Sequence, residues 1–482
     1  MPNVHRQMQA GFLVMPAAFG AQMLGMLLVA SYLGPHEFGV FSVIFAILTV
    51  VNFVTEMGMG IIITKLVAEG EKPAGHHIAL ALPVVLIASL LGAIVQLVIV
   101  WVAYPTGDAR WAGVVAAVNI LIFSTSMVLS CTLRGLGKMG KWMAGFLGQK
   151  VIFVLLALAG FTLGHGGLVT AVAAWTVSST IVALYYLVDL WGGVWRGQLL
   201  WRPAEMRSLI RESVPVGLIS ATNQFGMQLD TFVLAILLSE REVGLYALGQ
   251  RLLNPARNIL HGAVSTPTFP GLCRLATEDR EEFSRRASRL CVVQWLAGLP
   301  LAVAAWVIAP LLVPRLLSEF RESVPVIWIT VWALAPASVT LQLRYVYTAL
   351  SNQDRFLRLN AIQLLVKTVL LITLTWRWGM LGACYGTVIA EVVFTWLAGY
   401  GLKAMGVPLK LMAGIATASV ATGGFVVVLW IIGAGRWPVL ALTAAYLLVV
   451  AVIINRLLRE VRHREPGAVA DRPSLPGESR ES

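Results

Sequence analysis

Fourteen apolar runs, each long enough to cross a bilayer as a helix, leave this chain little choice of architecture. They fall at about 11–33, 38–63, 78–103, 111–133, 142–163, 167–192, 209–238, 243–268, 288–312, 323–350, 356–376, 380–402, 409–433 and 437–458. About 20 mostly apolar residues span a hydrocarbon core about 30 Å thick. Barrel strands would be about ten residues of alternating polarity, so a barrel is excluded. The first run outlasts the apolar core of a signal peptide and a second follows at once, so it is expected to stay as a helix. Composition agrees: 58% of the 482 residues are apolar and 12% are charged, about half the charged fraction that coats a soluble domain. Soluble enzymes, disordered chains, collagen-like fibres and disulfide scaffolds are thereby excluded. The expected fold class is an all-α polytopic membrane protein of about 14 transmembrane helices.

Lysine and arginine set the orientation. With the N-terminus inside, the cytoplasmic segments hold 24 of the 36 basic residues, and the opposite segments hold six: Arg110, Arg241, Arg315, Arg321, Arg377 and Arg436. This bias predicts that both termini are cytoplasmic. It also accounts for most of the +12 net charge, which therefore gives no reason to invoke nucleic acid. The Arg-, Pro-, Glu- and Ser-rich residues 459–482 read as a disordered cytoplasmic tail. No connecting segment exceeds about twenty residues, and neither a P-loop, a GxSxG nor an HExxH occurs, so no site for enzymatic chemistry is expected. The cysteines Cys131, Cys273, Cys291 and Cys384 form no CxxC pair and read as small buried hydrophobes. His76 and His77 are expected to be solvated in a cytoplasmic loop. Neither a metal nor a cofactor is expected.

The chain carries an internal duplication. Leu33-Gly34-Pro35-His36-Glu37-Phe38-Gly39-Val40-Phe41 and Leu238-Ser239-Glu240-Arg241-Glu242-Val243-Gly244-Leu245-Tyr246 share Leu-x-x-x-Glu-apolar-Gly-apolar-aromatic at an offset of 205. Fainter echoes link Arg134–Trp142 with Thr348–Phe356, and Gly164-x-x-Gly167 with Gly379-x-x-Gly382. They predict a six-helix bundle over 1–192, a cytoplasmic linker at 193–208, a second six-helix bundle over 209–402 and two further helices over 403–458. Transporters are often built from such repeats, with the pathway between the halves.

The Leu-Gly-Pro-His-Glu-Phe-Gly motif, Asn52 with Glu56-Met-Gly-Met-Gly, and Asp230 eight residues before Leu238 resemble the polysaccharide-biosynthesis (Wzx-type) flippases. These belong to the multidrug/oligosaccharidyl-lipid/polysaccharide exporter superfamily. The resemblance implies a V-shaped pair of bundles in the bacterial inner membrane that moves undecaprenyl-pyrophosphate-linked oligosaccharide between leaflets by alternating access. A proton or sodium gradient is then the candidate energy source. The lipid-linked glycan and the bilayer are the expected partners, with a polysaccharide polymerase and glycosyltransferases as candidate protein partners. Within the superfamily a lipid II flippase and an ion-coupled drug antiporter stay open. A membrane glycan polymerase or ligase would need a long outer loop, which the sequence lacks.

Ionisable groups at membrane depth are costly and usually face a cavity. Six basic residues within the runs are assigned to neither side: Lys150, Arg211, Arg251, Arg257, Arg344 and Lys367. The acids are Glu56, Asp189, Asp230 and Glu391. In the eighth run, Gln250, Arg251, Asn254, Arg257, Asn258 and His261 fall within an arc of about 120°, beside Pro255. At the repeat offset His261 matches Glu56, Arg257 matches Asn52 and Asn254 matches Thr49, so both halves should line one cleft. Arginine forks suit phosphate oxygens. Arg251, Asn254, Arg257, Asn258, His261, Asn52, Arg344, Lys150 and Lys367 are accordingly the expected substrate-binding residues. Glu56 and Asp230 are the candidate ion-coupling acids, the alternative being salt bridges to Arg257 or Arg251. Arg211 and Asp189, near span ends, are expected to snorkel.

Overall fold

With no water at membrane depth, each run must satisfy its own backbone, and a helix does so within one segment. The computed structural model describes residues 2–104, 107–164, 166–260 and 264–407, with 419–420, 422–426, 429, 442–450 and 452–454. Side chains at 2–13, 219, 252, 254–260, 266–267 and 270 fall outside that description. The described residues are helical, with no named strand. The helices are α1 (Pro2–Glu56), α2 (Met59–Glu69), α3 (Ala74–Ala103), α4 (Asp108–Gly135), α5 (Met139–Thr162), α6 (Leu168–Leu190), α7 (Pro203–Leu237), α8 (Glu240–Leu260), α9 (Thr266–Glu278), α10 (Arg280–Leu316), α11 (Val324–Thr330), α12 (Leu334–Ala349) and α13 (Gln353–Lys403). Eight helical stretches among the described residues are long and apolar enough to cross a membrane.

Two of those stretches each hold two of the predicted runs. Helix α1 kinks at Gly34 and α13 kinks at Trp378–Gly379; the positive φ of both glycines is a conformation other residues adopt at a cost. The 38–63 run is broken at Met57-Gly58, where α2 begins. A short 3-10 turn, Val331–Ala333, divides the 323–350 run. The predicted runs at 409–433 and 437–458 lie mostly outside the described residues. Helices α7 and α8 are not among the eight apolar stretches, and they line the cavity described below.

The second half of α1 packs against α8 and α7. A Cβ on Gly39 would stand 1.8 Å from the Glu240 carbonyl oxygen, and one on Gly244 would stand 1.9 Å from the Pro35 carbonyl oxygen. These are the paired glycines of the repeated motif, and they let the two backbones touch, as small residues do between membrane helices. Nearer the other end, a Cβ on Gly217 would stand 2.3 Å from the Met57 carbonyl carbon. Nineteen residues at about 1.5 Å each separate Gly39 from Gly58, so the two contacts lie about 28 Å apart. The second half of α1 therefore meets α8 at one level and the chain just past it meets α7 at another, with space between them.

At the basic end, the linker is tied back onto α3. The Leu200 amide donates to the Ala79 carbonyl, and Glu205 takes Lys72, His76 and Arg202 within 2.9 Å. Those three groups hold the Glu205 carboxyl down at about 2. The histidines therefore depart from the solvated expectation: His76 binds Glu205 and His77 is buried, because the linker covers them. Asp189 pairs with Lys138 and Lys141. All four cysteines are free, and all but Cys273 are buried.

Candidate functional site

Between the two contact levels lies a cavity of about 270 Å³. Ser42 and Phe45 of α1 form one wall; the rest comes from α7, α8, α11, α12, α13 and the 3-10 turn Val331–Ala333. Of the residues expected at the site, Arg251, Arg344, Lys367 and Asp230 line it, as do Gln250 and Glu391. The lining thus holds three basic side chains (Arg251, Arg344, Lys367) against two acids (Asp230, Glu391).

Arg251 follows Gln250 on α8 and reaches across to α1. Its guanidinium lies 4.8 Å from the Phe45 ring centroid, 5.8 Å from Phe41 and 6.0 Å from Phe38. Those phenylalanines recur at three- and four-residue spacing, so they share one face of α1. Ring quadrupoles hold a cation without neutralising it. No described carboxylate pairs with Arg251, and its buried Nε has no hydrogen-bond partner among the described residues. The group is fixed in place with donors still to satisfy. Arg344, exposed at the cavity wall, also has no described carboxylate partner.

Lys367 differs. Its ammonium pairs with Asp230, whose other carboxylate oxygen accepts from Tyr246 Oη at 2.7 Å and Thr387 Oγ1 at 3.2 Å. Gln250 Nε2 donates to Tyr246 Oη at 2.9 Å. Asp230 therefore bonds across to α13 rather than to Arg251. Asn360 donates to Asn223 at 3.2 Å, bracing α13 against α7 at the cavity edge.

The remaining residues expected at the site sit elsewhere. Lys150 is buried on α5, its ammonium 4.4 Å from the Trp175 ring centroid and 5.6 Å from Phe146. Asn52 is buried with an unpartnered Oδ1 among the described residues. Glu56 is buried beside Gly60, Met127 and Cys131, with Arg134 near. The side chains of Asn254, Arg257 and Asn258, and all of His261, lie outside the described residues. Tyr246, Thr387, Asn223 and Asn360 escaped the sequence reading as site groups. Tyr246 alone carried a signal, as the aromatic that ends the repeated motif.

The family model "Polysaccharide biosynthesis protein" matches residues 10–276. No curated protein matches the chain significantly in sequence. Among solved structures, the lipid II flippase MurJ in an inward closed conformation superposes with a TM-score of 0.76 at 12% identity, covering 94% of this chain and 100% of that one. An inward-facing multidrug resistance MATE transporter of the MOP superfamily gives 0.65 at 16% identity, covering 82% and 96%. A MOP superfamily transporter from Pyrococcus furiosus, described as having a binding pocket of reverse polarity, gives 0.56 at 16%, covering 86% and 95%. At these identities the likeness is one of fold, and it is the fold of multi-pass membrane transporters. With the match over more than half its length, the chain belongs to the polysaccharide biosynthesis protein family.

Proposed function

We propose that the protein flips a polyprenyl-pyrophosphate-linked oligosaccharide across the bacterial plasma membrane by alternating access, with both termini in the cytoplasm. The observation that carries this reading is Arg251, a guanidinium at membrane depth in a cavity, steadied by three rings and unpaired with any described carboxylate. A pyrophosphate can supply the oxygens such a group lacks. Arg344 adds a second cation, while the lipid tail stays in the bilayer and needs no cavity. The Asp230–Lys367 pair and Glu56 are the groups through which a proton or sodium gradient would act. When phosphate engages Lys367, Asp230 loses its counter-ion and becomes the acid most ready to take up a cation.

Lipid II flipping is the second reading, favoured by the superposition on a lipid II flippase over nearly the whole chain. Its cargo also carries a pyrophosphate, so the cavity accepts both. In proteoliposomes, a fluorescent polyprenyl-pyrophosphate oligosaccharide should cross faster than in protein-free vesicles. Lipid II that suppresses this crossing at equal concentration favours the second reading. Transport of an organic cation alone contradicts both.

A further inference from the structure

Phe45 borders two spaces at once. On one face it lines the cavity that holds Arg251. On the other it lines a narrow crevice with Phe41, Ile44, Leu48, Val172 and Trp175 that has no room for water. Across that crevice Trp175 meets Phe45 edge to face, with ring centroids 5.0 Å apart. Behind Trp175 stands Lys150, 7% exposed and unpaired with any described carboxylate. The order from α8 inward is Arg251, Phe45, Trp175, Lys150, two cations with a pair of rings between them.

We propose that Lys150 is a second oxyanion site, shut off from the cavity by the Phe45–Trp175 pair and joined to it when those rings part. The ligand is a phosphate of the same lipid-linked head group, so the proposal rests on the function argued above. A buried ammonium held against two rings is a poor structural brace, since it lacks a described carboxylate that would neutralise it. Intramembrane cations without an acid partner mark pathways. Phe45 and Trp175 come from α1 and α6, and Phe45 also touches the cation of the opposite bundle. Movement of α1 against α6 would part the two rings and open the partition between Arg251 and Lys150. An anion on Arg251 would then see Lys150 across the gap the rings had filled. One half of the protein holds the phosphate at rest, and the other receives it in transit.

The test replaces the four native cysteines by alanine and introduces Lys150→Cys. Reaction with a sulfonate-bearing methanethiosulfonate should be slow with Phe45 present and on the order of tenfold faster with Phe45→Ala, because removing the ring opens the partition. Phe45→Val serves if the alanine variant does not insert. In chains that keep Lys150, affinity for inorganic pyrophosphate should rise about fivefold on Phe45→Ala, and Lys150→Met should remove the gain. With Phe45 intact, Lys150→Met should leave the affinity unchanged. Equal labelling rates with and without the ring overturn the partition; a gain that survives Lys150→Met, or no gain, overturns the anion site. Arg251→Gln with Phe45 intact reads the cavity alone. If it leaves pyrophosphate binding unchanged, the function proposed above fails, while the labelling result and the Lys150-dependent gain still decide this proposal.

Discussion

Asp230 and Lys367 are each ionisable, each nearly buried, and 137 positions apart in the chain, yet they neutralise one another across α7 and α13. Removing one partner of such a pair strands the other, which costs about 3 kcal/mol or more, whereas replacing both is far milder. Lys367→Met should therefore lower the melting temperature in detergent clearly, and Asp230→Asn/Lys367→Met should recover most of the loss. A double variant no more stable than the single one would contradict the pairing. Asp230, Lys367 and Arg251 were each legible in the sequence, because an ionised group inside an apolar run stands out on cost alone. Who pairs with whom was not, since nothing local ties residue 230 to residue 367. Phe38, Phe41 and Phe45 were illegible in a different way. A ring that stacks on a guanidinium and a ring that packs a core leave the same mark in a sequence.

At the scale of elements, the apolar runs within the described residues mapped onto helices because length and hydropathy decide the matter before packing enters. The breaks were unevenly legible: Gly34 and Gly379 fall in the gaps between runs, whereas Met57-Gly58 interrupts one that looks continuous in apolar content. The repeated motif marked Gly39 and Gly244 as equivalent positions, and the structure adds that they lie against each other's helices. Equivalence in a repeat says nothing of contact, so this was visible only in three dimensions. Gly244→Val would drive a side chain into the Pro35 carbonyl and hold α1 and α8 apart at that level. Ser42→Cys, at the buried cavity wall nearby, should then react with a membrane-impermeant thiol reagent applied outside, on the order of tenfold faster than in the parent. Unchanged reactivity, with the protein inserted, would show that this contact does not close the cavity.

For the whole molecule, the charge bias makes a direct prediction of topology. Gly140 and Gly167 both have room for a side chain and sit beside connections assigned to opposite sides. Gly140→Cys should label only from the cytoplasmic face and Gly167→Cys only from outside; labelling of both from one side would refute the orientation. The contacts of the α1 segment with α8 and α7 and the cavity between them all bear on one claim, that the protein moves an anionic head group past an unpaired arginine. The initial rate at which proteoliposomes flip a fluorescent polyprenyl-pyrophosphate oligosaccharide, compared between the parent chain and Arg251→Gln, tests that claim most directly. The account predicts a fall of about tenfold or more, equivalent to the loss of about 1.4 kcal/mol of charge-assisted hydrogen bonding, with protein level and melting temperature preserved. Flipping by Arg251→Gln at the parental rate would contradict it.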